Sequence, residues 1–223
     1  EVFGRMTSVE SIVAVANSVA VSINLDSSAS TTGITTVDIS LADSGANGSN
    51  LVDASEITTT THGFTLKGSA LGAGAILGGS GADTITGGAA IDIITPGPGK
   101  DTMTGGGAAD VFHIVTATAG STLALANTIT DFTTAVDDID VGTAASFTEE
   151  DGAAFTEASF AIRAAIAFDS TGTDAFIAFN AAGSGNAWLL IDHDAGGTVT
   201  AADTFVILNG INQASEFITG DII

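Results

Sequence analysis

The sequence contains no cysteine and no tyrosine among its 223 residues, and it has no long apolar run. Without cysteine, neither disulfides nor thiolate metal sites can hold the fold together, so any bound metal ion must take oxygen ligands. No segment approaches the run of about 18 apolar residues that a membrane-spanning helix needs, and we expect no membrane insertion. Residues 1–5 show neither an initiator methionine nor a signal-peptide pattern, so we expect a fragment or a processed product.

Positive charge is scarce as well. Four Lys and Arg residues stand against 26 Asp and Glu residues, which gives a formal net charge of −22 at pH 7. Such a charge repels nucleic acid and anionic lipid, and we expect no nucleic-acid partner. Because like charges also destabilise a compact state, the chain is expected to need bound cations. Divalent metal ions are therefore the predicted partners.

Proline is rare, with two residues, whereas glycine is abundant, with 28. Together with frequent Ala, Thr, Ser, Ile and Val, this composition predicts many short strands joined by tight turns, and it argues against long helices as the main architecture. The hydrophobic fraction of 45% is enough for a substantial core. The chain length fits one large domain or two small ones.

Local patterns place strands on both sides of a central glycine-rich stretch. Strands are predicted at 19–25, 35–41, 58–66, 138–141, 175–179, 187–191 and 204–208. Two segments have helical patterns: apolar residues have helical spacing at 8–18, and 148–165 begins with Thr148 and Asp151, which resemble a capping signal. The residues expected to face a core in the second helix are Phe155, Phe160 and Ile162.

Residues 78–113 contain an internal repeat of nine residues, each unit with aspartate at its sixth position and a large apolar residue at its eighth. The four units begin at Gly78, Gly87, Pro96 and Gly105. The aspartates are Asp83, Asp92, Asp101 and Asp110, and the apolar residues are Ile85, Ile94, Met103 and Phe112. A degenerate unit at 69–77 precedes them, with Gly74 in the aspartate position and Ile76 in the apolar position.

Each unit divides into a six-residue turn and a three-residue strand with one inward side chain, so two units make one coil. Glycine lets the turn adopt positive φ and direct its carbonyls at a common point, while the aspartate supplies charged oxygen, the ligand type that Ca²⁺ prefers. Turns on the same side are two units apart, which predicts two sites, Asp83 with Asp101 and Asp92 with Asp110. The glycines expected to contribute to these sites are Gly79, Gly81, Gly88, Gly97, Gly99 and Gly106.

Over residues 68–113 the sequence resembles the repeats-in-toxin (RTX) family of calcium-binding proteins. The resemblance implies an all-β fold with a parallel β-roll, the RTX calcium β-solenoid, at 67–115. We expect a β-rich, solenoid-like region before it at 1–66 and a β-rich cap with a short helix after it at 116–223. Three positions depart from the family pattern, Ala90 and Ala108 at the fourth position and Pro96 at the first, which makes Asp92 with Asp110 the weaker site. The alternative is a glycine-rich loop whose aspartates are merely solvated.

A second acidic segment follows the repeats. Residues 129–141 resemble the D-F-x-x-G-x-D-x-I-D-L segment that follows the β-roll in serralysin-type proteases, with Ala135 in place of the usual glycine. By that resemblance Asp131 is a candidate Ca²⁺ ligand at the end of the roll, with Asp137 or Asp140 in support. The alternative is a polar turn with exposed acids.

A third acidic segment, residues 192–203, has the length of an EF-hand loop. Asp192, Asp194 and Asp203 occupy its first, third and twelfth positions, Gly197 its sixth, and Thr198 offers a carbonyl at the seventh. The flanking residues are predicted strands and not helices, so the interpretation is a hairpin joined by Ca²⁺. A metal-free Gly-Gly hairpin remains the alternative.

The functional hypotheses follow from the repeats and from the chain end. Residues 220–223 resemble the acidic and then hydrophobic ending of type I secretion signals, so we expect the type I secretion machinery as a partner and an extracellular location. The H-E-x-x-H and G-x-S-x-G motifs are both missing, there is no thiol nucleophile, and we expect no catalytic activity.

Two classes of protein fit this pattern. The first is a structural protein similar to RTX-type S-layer proteins, which assembles into a homo-oligomer or lattice on Ca²⁺. The second is the calcium-folding and secretion module of a hydrolase, serralysin-like or lipase-like; an RTX adhesin that binds a cell-surface polysaccharide is a further alternative. The Thr-, Ser- and Val-rich strands before residue 66 favour the structural protein.

Overall fold

The structure is a computed structural model, and it describes residues 10–14, 20–27, 29, 33–40, 50–59, 62–114, 122–142, 146–152, 160, 164, 174–180, 185–194, 198–211, 217 and 219–223. The chain divides into two compact units, Glu1–Phe112 and His113–Ile223. The three regions expected from the sequence, with boundaries near residues 66 and 115, stay a prediction. Within the described ranges, no helix is long and apolar enough to cross a membrane.

Unit 1 is built from short strands that alternate between two parallel sheets. The strands are β1 (Ser11–Val13), β2 (Ser22–Asn24), β3 (Thr36–Asp38), β4 (Asn50–Asp53), β5 (Thr65–Lys67), β6 (Gly74–Leu77), β7 (Thr84–Gly88), β8 (Asp92–Thr95), β9 (Thr102–Gly106) and β10 (Val111–His113). One sheet has the order β1-β3-β5-β7-β9 and the other β2-β4-β6-β8-β10. Each strand pairs in parallel with the strand two further along the chain, so the chain winds as a solenoid with two strands per coil. The predicted parallel β-roll is confirmed.

The middle residue of each strand points into the solenoid and stacks on its counterpart in the next coil. From β3 onward the described middle residues are at most 1% exposed: Val37, Val52, Leu66, Ile76, Ile85, Ile94, Met103 and Phe112. The pairs Ile85 with Met103 and Ile94 with Phe112 are in register. The sequence-based assignment of the inward positions is therefore confirmed, and so is the degenerate unit, because Gly74 aligns with Asp92.

The first coils of unit 1 correct two sequence-based predictions. The helix expected at 8–18 is wrong at Ser11–Val13, which form β1 and pair with β3; the β-branched Ile12 and Val13 gain more from this stacking than from a helix. The strand expected at 58–66 is shorter, because only Thr65 and Leu66 of that range enter β5.

Unit 2 contains a mixed sheet. The strands of unit 2 are β11 (Asn127–Ile129), β12 (Asp138–Asp140), β13 (Ser146–Gly152), β14 (Asp174–Asn180), β15 (Asn186–Asp192) and β16 (Thr204–Asn209). All of them except β12 belong to this mixed sheet. The order in the sheet is β11-β16-β15-β14-β13, with antiparallel pairing only where β15 meets β14 and β16. The four strands predicted after residue 116 correspond to β12, β14, β15 and β16.

The core of unit 2 is aromatic. Phe160 is fully buried and contacts Phe176, Trp188 and Phe205, with ring centroids 5.0 to 5.7 Å apart. Phe160 and Ala164 have helical backbone, as the predicted helix requires, whereas Phe155 and Ile162 lie outside the described residues.

The start of that predicted helix is wrong. Thr148 and Asp151, interpreted from the sequence as a capping signal, belong to β13, which pairs with β14 over seven residues. A seven-residue ladder outweighs a single helix cap, which contributes only about 1 kcal/mol.

Candidate metal centres

The solenoid turns of unit 1 bring the repeat aspartates together in the predicted pairs. Asp101 Oδ1 accepts the N–H of Asp83 at 2.8 Å, and Asp110 Oδ1 accepts the N–H of Asp92 at 2.8 Å. Each bond spans 18 residues, which is one coil. The side chain of the later aspartate in each pair therefore binds the backbone of the turn one coil earlier.

These four carboxyl groups are buried in the turns of the solenoid. Each aspartate is at most 1% exposed. Burial, with a contribution from the charge of Asp83, raises the pKa of Asp101 to about 8, although the hydrogen bond from Asp83 N–H opposes the rise. Burial also raises the pKa of Asp83, although the N–H groups of Phe64 and Gly79 oppose this effect. A pair of buried acids in this setting favours the protonated form unless a cation compensates the charge.

In the second pair, Asp92 with Asp110, burial also raises the pKa of a carboxyl group. Burial, with a contribution from the charge of Asp110, raises the pKa of Asp92 to about 7, and the N–H groups of Gly88 and Gly74 oppose the rise only in part. Both carboxylate oxygens of Asp92 are buried, and neither accepts a well-formed hydrogen bond. An ionised carboxylate in this state is costly, and a metal ion with oxygen ligands relieves the cost. The residues present fit a divalent cation such as Ca²⁺.

Glycine at the first repeat position makes room for the carboxylate of the same repeat. A Cβ added at Gly87 would lie 2.6 Å from Asp92 Oδ2, and one added at Gly105 would lie 2.5 Å from Asp110 Oδ2. At Gly87 and Gly105 the turn therefore wraps its backbone closely around the aspartate, and a side chain there would overlap the carboxylate; the third repeat has Pro96 at this position.

The six glycines predicted to contribute carbonyls form three stacked pairs. In each pair the carbonyl oxygen of the earlier glycine lies so close to the α-carbon of the later glycine that a Cβ on the later glycine would overlap this oxygen. The pairs are Gly79 with Gly97, Gly81 with Gly99 and Gly88 with Gly106. The later glycines, Gly97, Gly99 and Gly106, have φ of 82°, 154° and 107°. Ala108 adopts a φ of 75° at the fourth position of its repeat, so one departure from the family pattern places alanine in a conformation that favours glycine.

The segment after the repeats forms a turn whose backbone is bound by two carboxylates, one within the segment and one from Asp221. Thr133 N–H donates to Asp137 Oδ2 at 2.8 Å, and Ala135 N–H donates to Asp221 Oδ1 at 2.8 Å. Ala135 has a φ of 59°, which explains why related segments have glycine there. Asp137 is 5% exposed, and Asp131 is half-buried. The roles of Asp131 and Asp137 as Ca²⁺ ligands stay a prediction.

The residues predicted as a secretion signal are folded in unit 2. Ile222 forms a parallel bridge with Ile139 of β12. Ile223 N–H donates to the Ile139 carbonyl at 3.0 Å, and Val141 N–H donates to the Ile223 carbonyl at 3.0 Å. Their part in secretion stays a prediction.

The loop between β15 and β16 gathers three carboxylates. Asp192, Asp194 and Asp203 each offer an oxygen within 4.8 Å of the others, and among the described residues no other group of three acidic or histidine side chains meets this limit. Burial, with contributions from the charges of Asp192 and Asp194, raises the pKa of Asp203 to about 6, and the N–H groups of Thr200 and His193 oppose the rise. The oxygen set fits a hard cation.

The flanks of this loop are antiparallel strands, with Ile191 opposite Thr204, so the predicted hairpin is confirmed. Thr198 is exposed, and residues 195–197 lie outside the described part of the chain. Whether Thr198 and the three aspartates hold Ca²⁺ stays a prediction.

Two residues of this centre were missed by the sequence reasoning. Thr200 donates from its hydroxyl to Asp194 Oδ2 at 2.9 Å and from its N–H to Asp203 Oδ2 at 2.5 Å. It stands at the ninth position of the loop, a ligand position of EF-hands, and that count was the available signal. Asp174 is 2% exposed and lies opposite Asp192 in the β14–β15 ladder. No local pattern predicts it, because only strand pairing brings it there.

A parallel solenoid with paired, buried aspartates in its glycine turns defines the class of calcium-binding β-rolls. A family model described as the RTX calcium-binding nonapeptide repeat matches residues 77–112 in four copies. Residues 77–112 are therefore RTX repeats, which indicate calcium binding and are typical of secreted proteins. No curated protein matches the chain significantly.

Proposed function

We propose that this chain is an extracellular structural protein that folds on Ca²⁺ and assembles into a surface layer. The observation that carries the proposal is the continuity of unit 1: the strands before the repeats, β1 to β6, belong to the same two sheets as the repeat strands. A hydrolase module is expected to place a separate catalytic core before its roll. A continuous stack of coils suits a scaffold instead, and we propose no catalytic activity for it.

Calcium would act first within the solenoid. Asp83 with Asp101 and Asp92 with Asp110 are the groups that would hold it, and the ion would supply the positive charge that these buried carboxylates need when ionised. Without it, four buried acids and a net charge of −22 oppose the compact state. Binding energy then becomes folding energy, so the repeats stay unfolded at the low free Ca²⁺ of a cytosol and fold after export through a type I system.

Assembly requires a surface as well as a fold. Ile93 of β8 is 48% exposed on the outer face of its sheet, where it aligns with Leu51 and Ala75, and Ile91 next to it is 54% exposed. This outer apolar stripe offers a second copy of the chain a contact that carries no like charge. It supports self-association of a protein whose surface is otherwise strongly acidic.

The first test is a Ca²⁺ titration of the metal-free chain, followed by circular dichroism, light scattering and electron microscopy. We expect β structure and ordered assemblies to appear together, and Ile93→Asp to prevent assembly while it leaves the β signal unchanged. Thr84→Asp, at an exposed position of the other sheet, is the matched control. Assemblies that persist unchanged in excess chelator would overturn the proposal.

A second candidate is the folding and secretion module of an RTX hydrolase. It is favoured by the turn around Ala135, which resembles the segment after the roll of serralysin-type proteases and adopts the positive φ that the resemblance implies. The same titration separates the two candidates, because a module of this kind would gain β structure without forming assemblies. Retention on a polysaccharide column in Ca²⁺ would instead support the adhesin.

A further inference from the structure

Asn50 occupies the aspartate position of a coil that precedes the repeats. In the register of the even sheet, which contains β2, β4, β6, β8 and β10, Asn50 aligns with Gly74, and Gly74 aligns with Asp92. Asn50 Oδ1 accepts the N–H of Val21 at 3.0 Å, one coil earlier. This is the same bond that Asp110 makes with Asp92, so Asn50 is the neutral counterpart of the repeat aspartates.

The amide group of Asn50 does what a carboxylate cannot. Its Nδ2 donates to the carbonyls of Gly72 and Ala73 at 3.5 and 3.4 Å, and the residue is 1% exposed. Both carbonyls belong to the turn of the next coil. A carboxylate is only an acceptor and would repel these oxygens unless a cation lay between them. The amide therefore supplies the positive end of a dipole where the repeats need a metal ion.

The other column of turns shows the same boundary. In the odd sheet, which contains β1, β3, β5, β7 and β9, Thr35 and Phe64 occupy the positions that correspond to Asp83 and Asp101. The carbonyls of Thr35 and Phe64 each accept the N–H of the residue that begins the next strand of this sheet. Neither residue carries charge. The N–H of Phe64 donates to Asp83 Oδ1 at 2.7 Å, so the carboxylates begin directly after this coil.

We propose that Asn50 ends the calcium-binding column of Asp92 and Asp110, and that the described coils before it fold without Ca²⁺ and form a template on which the repeats stack when Ca²⁺ arrives. The proposal rests on the calcium-binding half of the proposed function. It adds an order of folding: the metal-independent coils fold first, and the metal-dependent coils then stack on them.

Hydrogen–deuterium exchange of the full chain, with Ca²⁺ and with excess EGTA, tests the proposal. In EGTA we expect peptides from β2 and β4 to keep their protection within about threefold, whereas peptides from β7 to β10 lose at least tenfold. Equal loss in both groups would overturn the template and leave calcium binding intact. Equal protection of β7 to β10 in both conditions would contradict the calcium-binding function itself.

Asn50→Asp sharpens the test. The buried carboxylate should make β2 and β4 dependent on Ca²⁺, with at least a tenfold loss of protection in EGTA that added Ca²⁺ reverses. Asn209→Asp, at a half-exposed position in unit 2, adds the same charge and should leave β2 and β4 unchanged. A variant that matches the wild type in EGTA, or whose loss Ca²⁺ does not reverse, would show that the amide does not replace a cation.

Discussion

The coils before residue 78 and the coils after it have the same two-sheet winding but fix their turns differently. In the earlier coils Val21 and Asn50, bonded to each other, are separated by 29 residues, and the contact between them is neutral. In the repeats the corresponding bond spans 18 residues and ends on a buried carboxylate. Two buried carboxyl groups meet in each pair of repeat turns, so we expect the repeats to depend on a metal ion where the earlier coil uses an amide. On the proposal above, the same fold forms without a metal ion in the earlier coils and only with one in the repeats.

The largest expected effect comes from closing the space between stacked glycines. Gly99→Ala places a Cβ on the Gly81 carbonyl at a φ of 154°, and we expect a loss of about 3 kcal/mol from overlap and strain together. Gly210→Ala is the control, because Gly210 has a φ of 86° but open space around it. The control should lose only about 1 kcal/mol. Urea denaturation in Ca²⁺ measures both, and equal losses would contradict close stacking of the turns.

A change of charge within one pair should have opposite effects with and without metal. Asp101→Asn keeps the acceptor for Asp83 N–H but removes a charge, so we expect Ca²⁺ affinity to fall on the order of 10- to 100-fold. In EGTA the variant should be more stable than the wild type, because burial opposes the ionised carboxylate.

Asp38→Asn in an earlier coil is the matched control for this comparison. Asp38 accepts from Ser40 and pairs with Lys67 at 3.2 Å; burial raises its pKa, but the bonds from Ser40 and Lys67 outweigh burial and leave the pKa lowered. Its loss should cost about 1 kcal/mol or less, equally with and without Ca²⁺. Calorimetric titration and denaturation check both variants, and a calcium-dependent effect at Asp38 would break the distinction between the regions.

The pH dependence should also invert with metal. In the metal-free chain the pKa of Asp92 is about 7 and that of Asp101 about 8, above the unfolded value of 3.8. The folded state then binds more protons than the unfolded state between these values, so metal-free stability is greatest below about pH 4 for these groups and falls as pH rises towards 8. With Ca²⁺ the ionised form is required, and stability should rise over the same range. Denaturation at pH 5 and pH 8, in Ca²⁺ and in metal-free buffer, gives the two slopes; parallel slopes would argue against metal at these aspartates.

The smallest effect concerns the fourth repeat position. Ala108→Gly should stabilise the chain by about 1 kcal/mol, because Ala108 has a φ of 75°. Ala90→Gly, at the same position of the second repeat, should destabilise by about 0.5 to 1 kcal/mol, because Ala90 is not among the residues with positive φ. Thermal denaturation distinguishes the two, and changes of the same sign would refute the conformational argument.

The sequence predicted the repeats well because their pattern is local and periodic. A nine-residue period with one aspartate and one large apolar residue determines which side chains face inward and which turns stack, so Ile85 and Met103 were assigned correctly. Helix signals failed at Ser11 and Thr148 because both are weak local preferences, and each segment gains a parallel partner strand instead.

By itself the sequence determined the class of fold, the paired aspartates and the preference for an oxygen-binding cation, since these follow from composition and from spacing along one coil. Only the tertiary structure placed Asp174 opposite Asp192 and the amide of Asn50 beneath Val21. These contacts join residues in or next to different strands and lie outside the nine-residue repeat. Their positions depend on strand pairing across the whole unit, which no local pattern records.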